Sequence, residues 1–302
     1  MDRIRTRAMT AALLAALTLG LASCGGGKQE EAPPAPPATP EEAVQRARES
    51  LADISSVSYD LDLDMELTLL GMPVTARTEM EADCIVSPLR SRMEAVTDMG
   101  DMGKLNTALY VSREEEGLVL YSGLDAVGTG DLTWIRKTLD ETETAETEGR
   151  YDVLHGLDLY LGGMTGLTEI GREQVDGWEA VRYDGTVPGE ALGEIVRSAG
   201  LFDQLGKLGL DAGASLAQAG DMTVSVWLDA ASWRPVRCDM DLTALMQGLL
   251  ASFSSAPDGS PLAGETEAEL SAGAAACSLR VTGYNGVESI EIPAAALAAG
   301  GS

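Results

Sequence analysis

The chain has 302 residues, enough for one large core or two small ones, and 45% of them are hydrophobic, which argues against a disordered chain. Aromatics supply only 4%, so a core or cavity must be built chiefly from Leu, Val, Met and Ala. A formal charge of -27, from 21 basic and 48 acidic side chains, would repel a phosphate backbone and argues against nucleic acid as a partner.

The first segment has the three parts of an export signal. Arg3, Arg5 and Arg7 precede an apolar run from Ala11 to Leu21, and small residues then lead to Cys24. The apolar run is too short to be a stable membrane span. Residues 1–23 are therefore expected to be a signal peptide that is removed, which takes away three arginines and one aspartate and leaves the mature chain more acidic. The alternative is an ordinary secretory signal with a chance cysteine at its end. Residues 24–39, GlyGlyGly and then a Pro-rich stretch, have almost nothing to bury and are expected to form a tether.

A helix is predicted next. Thr39 suits the N-cap, Pro40 the first helical position, and Glu42 completes a capping-box pattern. Val44, Ala47, Leu51 and Ile54 then give one apolar stripe. From Tyr59 the period changes to two: Leu61, Leu63, Met65, Leu67 and Leu69 alternate with Asp60, Asp62, Asp64, Glu66 and Thr68. After a turn at 71–73 the alternation resumes through Val74, Ala76, Met80, Ala82 and Cys84. This predicts a long antiparallel hairpin with one apolar and one charged face. Further strands are predicted within 89–96, 107–124 and 132–139, and residues 140–165 are expected to be helical or irregular. Hairpins follow at 167–187, across Asp176-Gly177, and from Met222 into the stretch after Pro235. One or two helices are expected over 188–208, and a late strand over 268–284. The fold class is thus α+β: a strongly curved antiparallel sheet of ten or so strands, whose apolar face is covered by helices at 40–55 and 188–208. With no internal repeat and no second linker, residues 40–296 read as a single domain and 297–302 as a tail.

Catalytic constellations are mostly missing. The single histidine, His155, cannot supply a zinc site or a triad alone, and neither a nucleophile elbow nor a phosphate-binding loop is present. Asp60, Asp62 and Asp64 share the spacing of a calcium loop, but the leucines between them belong to an extended strand that sets successive carboxylates about 7 Å apart. They are expected to be a solvated face. No metal and no cofactor is expected, and a carboxylate-dependent glycan hydrolase lacks any acid pair that stands out locally. After Cys24 three cysteines remain, Cys84, Cys238 and Cys277, with spacings that fit no zinc motif. They are expected to be small buried hydrophobes, with a Cys238–Cys277 disulfide as the alternative.

Leu21-Ala22-Ser23-Cys24 resembles the lipobox of bacterial lipoproteins, in which the cysteine becomes the acylated first residue. The lipobox, tether, capped helix and alternating strands together resemble the LolA/LppX-like lipoproteins. Three stretches add to this: GWEAVRYDGTVPGEAL from 177, VSVWLDAASWRPVRCDMDLT from 224 and YNGVESIEIPAAAL from 284. The resemblance implies a half-open barrel that closes over an apolar cavity with helices, with the third stretch as its closing strand, and lipid or lipoprotein handling. The expected function is a non-enzymatic, membrane-anchored lipoprotein that binds a lipid or acylated molecule. The alternative is an envelope structural or interaction module with a filled core. Cys24 would carry the anchor, and Leu61, Leu63, Met65, Leu67, Met80 and Trp227 would line the cavity. The location would be extracytoplasmic, with Gly25 after Cys24 favouring the outer face of the cytoplasmic membrane.

Overall fold

The computed structural model describes residues 37–69, 71–115, 117–125, 128, 130–198, 220–254 and 270–299. The signal segment, Cys24, most of the tether and the second half of the 188–208 stretch lie outside the described residues. Among the described residues no helix is long and apolar enough to cross a membrane.

The chain begins with α1, Pro40–Leu51. Thr39 caps it through its hydroxyl, which accepts from the Glu42 amide at 3.2 Å. The Glu42 carboxylate reaches one residue further back than a capping box requires and accepts from the Ala38 amide at 2.7 Å. That amide and then Arg46 hold the Glu42 carboxyl below its ordinary value. Ala43, Val44, Ala47 and Leu51 face inward, the 3.6-residue stripe that the sequence predicts.

Eleven antiparallel strands form one sheet. In chain order they are β1 Ser56–Leu69, β2 Met72–Ile85, β3 Arg90–Asp98, β4 Lys104–Glu114, β5 Gly117–Asp125, β6 Thr133–Leu139, β7 Thr165–Val175, β8 Trp178–Val187, β9 Met222–Asp229, β10 Pro235–Asp241 and β11 Leu270–Tyr284. Their lateral order is β6-β5-β4-β3-β2-β1-β11-β10-β9-β8-β7. The sheet is therefore two up-and-down meanders, β1 to β6 and β7 to β11, joined where the first strand pairs with the last. It does not close, because β6 and β7 remain at its edges. A single 3-10 turn, Gly100–Met102, joins β3 to β4.

Between the meanders lie α2, Glu141–Thr147, and α3, Val153–Gly163; α4, Gly189–Ser198, follows β8. Leu154, Leu157 and Leu161 of α3 and Leu192 and Ile195 of α4 join the stripe of α1 in one core with Val57, Tyr59, Val226 and Leu279. The helices thus cover the apolar face of the sheet. Arg48 of α1 fixes α3 through two bonds to Asp158, at 2.7 and 3.2 Å.

Turn chemistry places several strands as expected. Asp176 and Gly177 have φ of 49° and 90°, the two positive values that a tight two-residue hairpin needs. The β1–β2 turn is tighter than the sequence suggests, since Leu69 already faces Met72.

Two expectations are corrected. Residues 285–293 form no closing strand: the ladder ends at Tyr284, and the chain leaves the sheet before the short helix α6, Ala294–Leu297. Asn285 causes the departure. Its φ is 57°, its amide donates to Ser56 O at 2.8 Å, and its side-chain Oδ1 accepts from the Ser55 amide at 2.7 Å. Ile290 and Ala296 then pack with Tyr110, Val119 and Tyr121 on the face of the sheet opposite the helices. The second correction is α5, Thr243–Ser254, which begins directly after β10 where the sequence reads as the end of a hairpin. Asp241 starts it by accepting from the Thr243 amide at 2.9 Å.

Gly117 at the β4–β5 turn offers a direct check. Its φ is 135°, and a Cβ there would lie 2.1 Å from the Leu139 carbonyl oxygen, whereas Gly71, with φ of 74°, has nothing within 4 Å. Gly117→Ala is expected to destabilise the fold by more than about 2 kcal/mol and Gly71→Ala by about 1 kcal/mol, as read from urea unfolding.

Candidate functional site

Strand register assigns every residue of the central strands to a face. One lateral row runs Leu124, Thr107, Ala95, Met80, Leu61, Leu279, Cys238, Val226 from β5 to β9. Directly opposed residues of antiparallel strands share a face, so this whole row looks toward the helices. The next row runs Gly123, Ala108, Glu94, Glu81, Asp60, Arg280, Arg237, Trp227 and looks away from them.

On the helix side, the β1–β2 hairpin carries a ladder that is apolar on β1 and interrupted on β2 by Thr78, whose hydroxyl bonds that of Thr97 at 2.9 Å. Its rungs are Tyr59–Ala82, Leu61–Met80, Leu63–Thr78, Met65–Ala76, Leu67–Val74 and Leu69–Met72. Exposure rises along it: Tyr59 is buried, Leu61, Leu63, Met65 and Leu67 are half-buried, and Met72 is 60% exposed. The helices α1, α3 and α4 cover the root of the hairpin. Farther along, the described cover is α5, whose Gln247 side chain donates to the Ala272 carbonyl at 3.1 Å beside β11. The β11 residues facing Leu63 and Met65 are Cys277 and Ala275, both small and both buried. Leu61, Leu63, Met65, Leu67 and Met80, expected as liners, are thus brought together on one face.

Trp227 is not with them, which corrects its expected role. Its neighbours Val226 and Leu228 enter the helix-side core, and period two sends Trp227 outward with Ser225. There the Arg182 and Arg237 guanidinium groups each lie 5.0 Å from its ring, and its indole N–H donates to the Glu173 carboxylate. Asp184 and Asp239 in turn hold the two arginines and raise their pKa. Burial opposes ionisation of Asp184, but the bonds from Arg182 and Ser225 outweigh it and leave its carboxyl below the ordinary value. Trp227 is a structural pillar of the polar face. Its own strand, Val-Ser-Val-Trp-Leu, already carried the alternation that places it there.

The carboxylates of β1 occupy the same polar face. Asp62 pairs with Arg280 at 2.9 Å, and Arg77 lies 3.8 Å from Asp64 and 3.2 Å from Glu79. Between β1 and β4 a depression of about 650 Å³ is lined by Asp60, Glu81, Glu94 and Arg280 and rimmed by Leu132. It is open, and its charged groups stand beside Val96 and Ala108.

Met72, Leu124 and Ile135 extend the apolar face to its rim and were not expected there. Met72 was hidden by its place in an apparent turn. Leu124 and Ile135 lie on β5 and β6, where the alternation is broken by Gly123 and by Trp134, which packs on the opposite face against that glycine. His155 is exposed at the start of α3.

Cys84, Cys238 and Cys277 are free and buried; the first two belong to the helix-side core, and Cys277 shares that face through its pairing with Leu63. Burial pushes the Cys238 and Cys277 thiols up to about 12 and the Tyr160 phenol of α3 up to about 12.

No family model and no curated protein matches the sequence. Among solved structures, the fold is similar to the lipoprotein LppX of Mycobacterium tuberculosis, at 15% identity and a TM-score of 0.45 over 83% of this chain and 98% of that one. It is similar to LprF from Mycobacterium bovis, at 15% identity and a TM-score of 0.48 over 86% and 99%. A putative outer membrane lipoprotein-sorting protein domain from Vibrio parahaemolyticus matches at 10% identity and a TM-score of 0.25 over 83% and 95%.

The buried thiols and phenol fix how stability responds to alkali. The folded chain holds these protons above the ordinary values of 9.0 for cysteine and 10.0 for tyrosine, so the unfolded chain releases them first as pH rises. Their contribution is fully present below about pH 9 and is lost toward about pH 12. Urea midpoints measured across that range are expected to fall steadily, and Cys238→Ala is expected to flatten the fall.

Proposed function

We propose that this chain is a non-enzymatic lipoprotein of the bacterial envelope that holds an acyl chain of a lipid or acylated molecule along the β1–β2 ladder, between the sheet and its helices. The observation that carries it is the ladder from Leu61 to Leu67, apolar at every β1 position yet only half-buried. Isolated exposed leucines need no explanation, but a contiguous apolar row left open beside a covered core is what a ligand would complete. From Leu61 to Leu69 β1 spans about 27 Å, the scale of an extended acyl chain. Each methylene laid on the row would contribute about 0.8 kcal/mol, before the cost of ordering the chain. Methionine at 65 and 80 lets such a lining adapt to chains of different shape.

The anchor is the second half of this proposal. Acyl groups on Cys24 would hold the domain at a bilayer, and two or more chains are needed for stable attachment. With Gly25 after the cysteine, the outer face of the cytoplasmic membrane is the favoured site.

The competing possibility is an envelope interaction module with a filled core, and the position of the 650 Å³ depression on the polar face favours it. Binding of a fluorescent fatty acid to the exported protein separates the two. Saturable binding is expected, with loss in Leu63→Asp and retention in Glu79→Gln, a carboxylate on the opposite face; both variants would be checked for folding by circular dichroism. Absence of binding, together with absence of co-purifying lipid in mass spectra, would leave the interaction module.

A further inference from the structure

Large hydrophobic side chains that remain exposed are not scattered over this domain. Seven are described, and five of them, Met72, Val96, Met102, Leu124 and Ile135, lie on β2 to β6 or the turns between them. The meander turns all five toward the same ends of their strands, but the register staggers them: Leu124 is level with Met80 and Ile135 with Ala82, while Met72 and Met102 stand beyond them at the tips. Met72 opens β2 at the first hairpin tip, Met102 sits in the β3–β4 turn, and Val96, Leu124 and Ile135 each lie within two residues of the strand end on that side. The two turns adjoin: the nearest group to a Cβ at Gly100 would be the Thr75 hydroxyl of β2, at 3.9 Å. The two methionines are the most exposed of the five, at 60% and 58%. Met72 also ends the ladder on β2, so it belongs both to the exposed tip and to the proposed acyl track, whereas Val96 pairs with Glu79 on the polar face.

We propose that this end of the sheet docks on the surface of the bilayer that carries the protein, with Met72 and Met102 entering the headgroup region, so that the open end of the ladder faces the lipid source. The inference rests on the lipid-binding proposal for the ladder and on acylation of Cys24. The chain outside the described domain argues for a bilayer as the occupant. From Cys24 to Thr39 it spans at most about 50 Å when extended, so an acylated chain never takes the rim farther from lipid than that plus the length of the domain. Charge decides the kind of surface. Asp98 at this end is matched by Lys104 at 3.1 Å, whereas the exposed Asp101 and Asp131 add negative charge. An anionic surface is therefore disfavoured and a zwitterionic one fits.

The test uses the acylated full chain in phosphatidylcholine vesicles. Single cysteines are introduced as Met72→Cys, Met102→Cys, Ile170→Cys and Leu297→Cys, all at exposed positions, and labelled with a fluorophore; the three native thiols are buried. Quenching by a lipid that carries a nitroxide near its headgroup is then measured. The expected result is strong quenching at 72 and 102 and little at 170 and 297. Equal quenching at all four positions, or none at 72 and 102, would overturn the proposal. Quenching at 102 reads contact with the bilayer and not uptake of a ligand, since Met102 lies off the ladder. Docking can therefore fail while fatty acid binding persists, and binding can fail while docking persists.

Discussion

The pairing of β1 with β11 is the constraint on which the rest depends. Neither meander closes by itself, and the first strand must accept the last over Val57 to Leu69 for the sheet to become one surface. Asn285 and Ser56 lock the root of that pair, with the Val287 amide also donating to Ser56 Oγ at 3.1 Å. Because β1 also pairs with β2 without a break from Ser56 to Leu69, its alternation sets which face every neighbour presents. A slip of one residue at this seam would turn the leucines to solvent and the carboxylates onto the helices. Two irregularities, at Thr282 near the root and at Gly273 near the open end of the ladder, leave the register from Tyr59 to Glu66 unbroken.

The two faces are stabilised by different means. On the helix side, burial of aliphatic groups from α1, α3, α4 and the strand roots supplies the cohesion. On the other face the C-terminal segment covers β4 to β6, and the remaining strands are held by cations set among carboxylates. Arg237 and Arg182 clasp Trp227, Arg280 meets Asp62, and Arg92 lies 2.8 Å from Asp83. Such half-exposed pairs each add little, but they let a strongly acidic chain carry a wet sheet face without repelling itself apart. The edge strand β7 is interrupted by two register shifts, one beside Gly171 with φ of 142°, which discourages pairing with another sheet.

Much of this was legible in the residues. Strict alternation from Tyr59 to Leu69 specified the hairpin and its two faces, because a period of two admits one burial pattern. Thr39-Pro40 and Asp176-Gly177 marked a helix start and a turn through local backbone chemistry. What escaped was set by partners distant in sequence. Asn285 ends the sheet by bonding to Ser55 and Ser56, so YNGVESIEIP, which looks like a strand in isolation, leaves the sheet. Trp227 is the exception: it looked like a cavity liner by residue type, although the alternation of Val224, Val226 and Leu228 into the core already sends it to the other face. The rim position of Met72 depended on a turn one residue tighter than it appeared.

The central claim is that the half-buried row from Leu61 to Leu67 is the surface that meets an acyl chain. Photo-crosslinking with a fatty acid that bears a diazirine in its chain, followed by peptide mass spectrometry, tests this most directly. Adducts should concentrate on Leu61, Leu63, Met65, Leu67 and Met80. Adducts around Glu81 and Glu94 or at Trp227 on the opposite face, or none above an unfolded control, would contradict it.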